Sequence, residues 1–232
     1  MDRRAFCSSA TTCMTLASVP MAAWSANAKP QPYQRVLLTD DLGKPVKTAD
    51  LQANTNYVFH YPFEGTPVFL LKLDKPAVPK QLSTSSKAAY DWPGGVGPGR
   101  NIVAFSAICA HQLVYPTPQL SFISFRKTKS AKGVQDKLIH CCADHSQYDP
   151  ARGAQVLSGP AEQPLCAILL EHDARTDTLT AYATLGGELF DAFFKKYEFK
   201  LSMDVGPKAR QQVSTQTVVK GLDKFCKNPV QC

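Results

Sequence analysis

The sequence predicts an all-β fold: an antiparallel β-sandwich carrying a smaller subdomain, with one short helix and an extended C-terminal tail. Three observations predict it. From Tyr33 onward the chain is a series of short β-branched and aromatic runs cut by turn residues. Apolar stripes of period 3.6 are scarce before residue 189. Polar turn sequences such as Asp173-Ala174-Arg175-Thr176-Asp177 separate consecutive runs, as in a hairpin.

Taken in order, Arg35–Leu38, Asn56–Tyr61 and Pro67–Leu73 read as the first strands. A Ser/Pro/Gly-rich connection, Gln81–Arg100, carries Trp92-Pro93-Gly94-Gly95 at its centre and leads into a buried-type strand at 101–107, which runs straight into Cys109. A second strand, 137–140, runs into Cys141-Cys142. Leu165–Glu171 and Thr178–Tyr182 then form the hairpin. Leu189, Phe190, Phe193, Phe194 and Tyr197 fall at helical spacing and predict an aromatic packing face. Tyr197, Phe199, Leu201, Met203 and Val205 alternate as a strand does. Beyond Pro207 a short helix is expected around Val218, Val219, Leu222 and Phe225, within a tail that wraps the domain or a partner. The organisation is therefore residues 1–28 as an address, 29–188 as the domain and 189–232 as a C-terminal extension.

The chain has 232 residues, a formal charge of +7 and eight cysteines. It is long enough for one substantial core. Normal apolar content and the absence of repeats exclude collagen-like, coiled-coil and disordered readings. No run after the first 30 residues is long and apolar enough to span a bilayer. Arg3-Arg4, a weakly apolar segment from Cys7 to Trp24, and Ala26-Asn27-Ala28 form a three-part pattern resembling a twin-arginine export signal. Periplasmic localisation follows as an expectation, with membrane association if the signal is retained. Without residues 1–28 the chain keeps 24 basic and 18 acidic residues, a net +6, and no basic stripe interleaved with aromatics. Nucleic-acid binding is therefore not expected, and attraction to an acidic protein partner is the economical use of the charge.

Six cysteines remain, and an oxidising compartment permits disulfides among them. Cys226 and Cys232 are spaced for a small disulfide loop. Cys166, in an apolar run, reads as a buried free thiol. Two loops at strand ends each offer a thiol and an imidazole: Cys109-Ala110-His111 and Cys142-Ala143-Asp144-His145. Two thiolates and two imidazoles suit zinc. Cys141 adjoins Cys142, but only Cys142 leaves two residues before His145, so Cys141 is expected to be a spare thiol on the opposite face of its strand. His60, His140 and His172 are assigned to packing or surface.

The run Ser106 to His111, then Cys142 to His145, Ser146-Gln147-Tyr148-Asp149, Gly153, and Gly159-Pro160-Ala161 with Pro164 resembles the Rieske iron–sulfur family over about 60 residues. The resemblance implies a Rieske-type β-sandwich whose cluster-binding part covers about 101–165. It also implies one [2Fe–2S] cluster, held by Cys109 and Cys142 on one iron and His111 and His145 on the other. It implies too that Ser146 and Tyr148 donate to sulfur and raise the potential, as in the high-potential branch, and that Gly159-Pro160 belongs to a loop covering the cluster. Between His145 and Ser146 the chain is one residue short of the family pattern. The positions matching the family's inter-loop disulfide are Val114 and Asp144, so that bridge is absent, as in arsenite-oxidase-like small subunits.

The resemblance further implies an electron-transfer protein or subunit with no substrate site of its own. It would take single electrons from a larger catalytic subunit, arsenite-oxidase-like, or from a membrane quinol-oxidising complex of the cytochrome bc type, and pass them to a c-type cytochrome. A zinc-binding structural module and a Rieske component of an oxygenase are the alternatives. The latter lacks a pair of helical histidines for a mononuclear iron. Finally, Phe122, Phe125, Arg126, Lys127, Lys129 and Lys132 make the long loop between the motifs basic and aromatic, as a docking surface would be.

Overall fold

The computed structural model describes residues 28–128 and 136–232, so the expected export segment lies almost wholly outside the described residues. The chain is strand-rich, as the sequence predicts. Its strands run β1 (Gln31–Thr39), β2 (Tyr57–His60), β3 (Pro67–Lys72), β4 (Lys80–Ser83), β5 (Ala89–Trp92), β6 (Ile102–Ser106), β7 (Leu120–Ser121) and β8 (Ile123–Arg126). They continue with β9 (Leu138–Cys141), β10 (Gln147–Asp149), β11 (Gln155–Ser158), β12 (Ala167–Asp173) and β13 (Thr178–Leu185). The C-terminal part holds helix α1 (Phe190–Asp204), β14 (Gln216–Val218), β15 (Lys220–Gly221), the single turn α2 (Leu222–Phe225) and β16 (Asn228–Pro229). Among the described residues no helix is long and apolar enough to cross a membrane.

An eight-stranded sheet in the order β14-β1-β13-β12-β6-β3-β2-β15 forms the framework. Its central strands are apolar on both faces, which the two-residue period of a strand turns into two cores. Val68 and Leu70 of β3 and Ile102 and Ala104 of β6 pack with Val36, Leu38 and Phe59 on one face. The sheet curls around this group until its ends meet. There, the Thr217 hydroxyl accepts from the His60 amide at 3.3 Å and donates to the His60 carbonyl at 3.0 Å. Phe69, Leu71, Val103 and Phe105 point the other way and pack beneath Ile123, Phe125, Ile139 and Tyr148 of a second, four-stranded sheet, β11-β10-β9-β8. That second sheet is the smaller subdomain the sequence predicts.

Two elements differ from expectation. The Gln81–Arg100 connection contains the β4–β5 hairpin, whose Tyr90 and Trp92 are buried in the shared core. In addition, the alternating run from Tyr197 to Val205 is helical: α1 continues past a kink at Tyr197 (φ −112°, ψ 19°) and ends at Asp204. The alternation misleads because Phe199 and Met203 are exposed, while Leu201 is buried and Tyr197 and Val205 pack partly buried against the same cluster.

The aromatic face of α1 does pack as expected, and its location matters for the site. Phe193 and Tyr197 each place a ring 4.9 Å from that of Tyr115, and Lys196 donates to the Gln112 carbonyl at 2.6 Å. Together with Ile108, these contacts clamp the loop that follows β6.

Candidate metal centre

Two loops at strand ends converge where the sheets meet. The first leaves β6 at Ser106 and turns on itself, with the Cys109 amide donating to the Val114 carbonyl and the Leu113 amide to the Cys109 carbonyl, both at 2.9 Å. Leu113 takes a left-handed φ of 59° to complete the turn. Cys109 is fully buried, whereas His111 keeps 40% of its side chain exposed at the rim.

The second loop leaves β9 and closes with the Cys141 amide donating to the Ser146 carbonyl at 2.9 Å and the His145 amide to the Cys141 carbonyl at 2.7 Å. Its register differs from the one the sequence suggests. His145 sits at φ 61°, the left-handed position that glycine ordinarily takes, and its side chain turns outward. Asp144, one residue earlier, points inward with 2% of its side chain exposed, held by the Ser146 amide donating to its Oδ1 at 2.9 Å.

The donors brought together are therefore Cys109, His111, Cys141 and Asp144. The two thiols and the carboxylate lie within 4.8 Å of one another. The Cys109 thiol donates to Asp144 Oδ2 at 3.0 Å, and His111 Nδ1 is 3.2 Å from the same oxygen. Two of the four expected donors, Cys109 and His111, are in this group. Cys142 and His145 are not, and Cys141 is not a spare thiol but one of the pair. A single-residue shift explains all three differences. With Ser146-Gln147-Tyr148-Asp149 held in place and no gap allowed, Cys141 and Asp144 occupy the positions assigned to Cys142 and His145. The missing residue before Ser146 was the signal for that shift.

Hydrogen bonds within the group shift its members in opposite directions. A hydrogen bond from Cys141 holds Cys109 below the ordinary thiol range, with the Tyr148 hydroxyl adding to it, while Cys141 is pushed up by the same shared hydrogen bond and by burial. Burial pushes Asp144 upward, but hydrogen bonds from Cys109 and from the Ser146 amide and hydroxyl outweigh it and keep the carboxyl ionised. Two thiols and a carboxylate share one buried pocket, and among the described residues no lysine or arginine pairs with that carboxylate, so the group offers sulfur and oxygen donors to a cation.

The Tyr148 hydroxyl lies beside a sulfur, whereas the Ser146 hydroxyl bonds to the Ala161 amide and to Asp144. The Tyr148 hydroxyl is 3.4 Å from Cys109 Sγ and accepts from the Ala110 amide at 3.2 Å, joining the two loops. The Ser146 hydroxyl accepts from the Ala161 amide at 3.2 Å, which ties the segment Gly159-Pro160-Ala161 to the second loop. Gly159 has φ 91°, and a Cβ there would meet Ser146 Cα at 2.4 Å, so only glycine permits this approach.

Cys142 instead forms a disulfide with Cys232 across 90 residues of sequence, with Cα atoms 5.7 Å apart. The expected Cys226–Cys232 loop is thereby overturned. Cys226 is a buried free thiol, as is Cys166, because the single turn α2 directs Cys226 into the shared core while β16, paired with β7, carries Cys232 to the second loop. The expected docking surface is also altered. Phe125 and Arg126 are buried, Arg126 beneath the Cys142–Cys232 bridge, while Lys129 and Lys132 lie outside the described residues.

No protein-family model matches the chain. Among solved structures, the crystal structure of the soluble domain of the Rieske protein II (soxF) from Sulfolobus acidocaldarius aligns with a TM-score of 0.44 and 22% identity, over 67% of this chain and 82% of that one.

Proposed function

We propose that this chain is a Rieske-like electron-transfer protein carrying one [2Fe–2S] centre, held by Cys109 and Cys141 on one side and His111 and Asp144 on the other. The observation that carries the reading is the convergence of these four side chains from two loops, each closed by its own backbone hydrogen bonds. Two thiols, an imidazole and a carboxylate supply the four terminal donors such a centre needs, and His111 presents Nδ1 inward. When bound, the cluster supplies one-electron redox chemistry.

The chain's own residues do the rest. Tyr148 holds its hydroxyl toward Cys109 Sγ, where a donated hydrogen bond favours the more negative, reduced state. Gly159-Pro160-Ala161 lies over the second loop and limits water. His111, at the exposed rim, is the route by which an electron reaches a partner. Asp144 contributes a third anionic donor, which sets this chain apart from a centre of two thiolates and two imidazoles and argues against the high-potential branch. The electron donor we infer is a larger catalytic subunit or a quinol-oxidising complex, and the acceptor a c-type cytochrome. The Arg3-Arg4 segment supports a periplasmic setting, and the positive charge supports an acidic partner.

Purified protein should contain iron and acid-labile sulfide in equal amounts and give a reduced-state EPR signal of mixed ligation. Stoichiometric zinc at Cys109 and Cys141 with no such signal would sink the proposal in favour of a structural zinc module.

A further inference from the structure

A second group of metal-ligating side chains lies outside the centre just described. His140, His145 and Cys232 have donor atoms within 4.8 Å of one another, and Cys142 Sγ is bonded to Cys232 Sγ. His140 is buried on β9, with Nδ1 3.7 Å and Nε2 3.9 Å from Cys232 Sγ. His145 is exposed, and its ring centroid is 5.9 Å from that of His140. The left-handed turn that sends Asp144 into the first centre is what sends His145 to this one.

A second observation points to the same place. Arg126 is 93% buried against the bridge, with Nη2 3.1 Å from Cys142 Sγ and also bonded to the Val230 carbonyl. Its Nε is buried without a hydrogen-bond partner. A guanidinium held against a disulfide sulfur makes a stronger, charge-assisted hydrogen bond once that sulfur is a thiolate. A groove of about 660 Å³, lined in part by Ser124, Thr128, Gln231 and Cys232, opens onto the bridge and gives a reductant or an ion access.

We propose that the Cys142–Cys232 disulfide is the closed form of a second metal site, which on reduction binds one zinc-class divalent cation through Cys142, Cys232, His140 and His145. The reductant is a protein dithiol. It gives two electrons and two protons to the disulfide and becomes a disulfide itself, leaving two thiols here. Binding the cation then releases those two protons to solvent. Two thiolates and two imidazoles are donors that zinc prefers, and the thiolates balance the charge of the ion. Arg126 donates to the Cys142 sulfur in the loaded site.

The test uses the purified full chain with Co²⁺ as a spectroscopic stand-in for zinc, and a water-soluble phosphine as reductant, since a small dithiol would itself chelate the metal. The phosphine takes oxygen from water as it is oxidised. Reduced protein should take up one more equivalent of Co²⁺ than unreduced protein, with thiolate-to-cobalt charge-transfer bands. Cys232→Ser should abolish that uptake. His145→Asn, which tolerates the left-handed backbone, should weaken it about tenfold or more. Cys109→Ser, which disables the first centre, should leave it intact. Uptake that does not depend on reduction, that survives Cys232→Ser, or that disappears with Cys109→Ser instead would overturn the proposal. Since Cys232 and His145 sit at the surface end of the site, circular dichroism on both variants verifies that each is folded. The iron content of the wild-type protein is read separately, so failure here is distinct from failure of the electron-transfer reading.

Discussion

Replacing Asp144 with histidine tests the assignment of the first centre most directly. Counting charge on the oxidised cluster, two ferric ions, two sulfides and two thiolates sum to zero, and Asp144 makes the total −1. A four-thiolate cluster carries −2 and lies near about −400 mV, while two-imidazole centres carry zero and span roughly −150 to +300 mV. One unit of charge therefore corresponds to roughly 125 to 350 mV, and Asp144→His should raise the midpoint potential by an amount in that range. An EPR-monitored redox titration measures it. Because Asp144 Oδ2 is only 3.0 Å from Cys109 Sγ, loss of its charge would act on the cluster even without direct ligation. Nitrogen hyperfine coupling separates the two cases: the wild type should show one coordinated imidazole and the variant two. Two coordinated nitrogens in the wild type, or loss of the cluster in His145→Asn, would refute the assignment and return Cys142 and His145 as ligands.

Three further outcomes follow from named contacts. Tyr148→Phe removes a hydroxyl 3.4 Å from Cys109 Sγ, and a hydrogen bond worth about 0.5–1.5 kcal/mol corresponds to a fall of roughly 20–65 mV for one electron; an unchanged titration would show that the hydroxyl serves only the Ala110 amide. Gly159→Ala should lower stability by about 1–3 kcal/mol, because the added Cβ meets Ser146 backbone at 2.4 Å and the φ of 91° is strained for alanine, and denaturant midpoints equal to wild type would remove the close approach from the account. His60 is held near pKa 4, by burial and then by the Lys220 charge. The unfolded chain therefore binds a proton that the folded one refuses, and stability should fall as pH drops from about 6.5 to about 4. Urea midpoints across that window should fall less steeply in His60→Gln, and parallel slopes would refute the shift.

What could be read from the sequence, and what could not, divides along physical lines. β3 and β6 are legible because residues buried on both faces leave continuous apolar runs, and Cys109-Ala110-His111 because the strand ends on it. The aromatic face of α1 is legible from its spacing, though not its destination, since spacing marks a face and not what that face covers. In the second loop the structure and the sequence spacing differ by one residue. Cys142-Ala143-Asp144-His145 offers a chemically attractive spacing, but backbone geometry decides the matter: only a left-handed residue closes the turn before Ser146, and His145 is that residue. Once it takes that conformation, its ring leaves the centre and Asp144 enters. The Cys142–Cys232 bridge was not legible at all, because β16 pairs with β7 through backbone groups that carry no side-chain signature.

The braces of the two loops come late in the chain. Cys109 to Asp144 are synthesised well before Phe193 and Tyr197, which clamp the first loop, and before Cys232, which ties down the second. The donors thus leave the ribosome ahead of the segments that hold them in place. A nascent chain stalled before residue 190 would present both loops unclamped, so a metal at Cys109 and Asp144 would be held rigidly only once the C-terminal extension had been made.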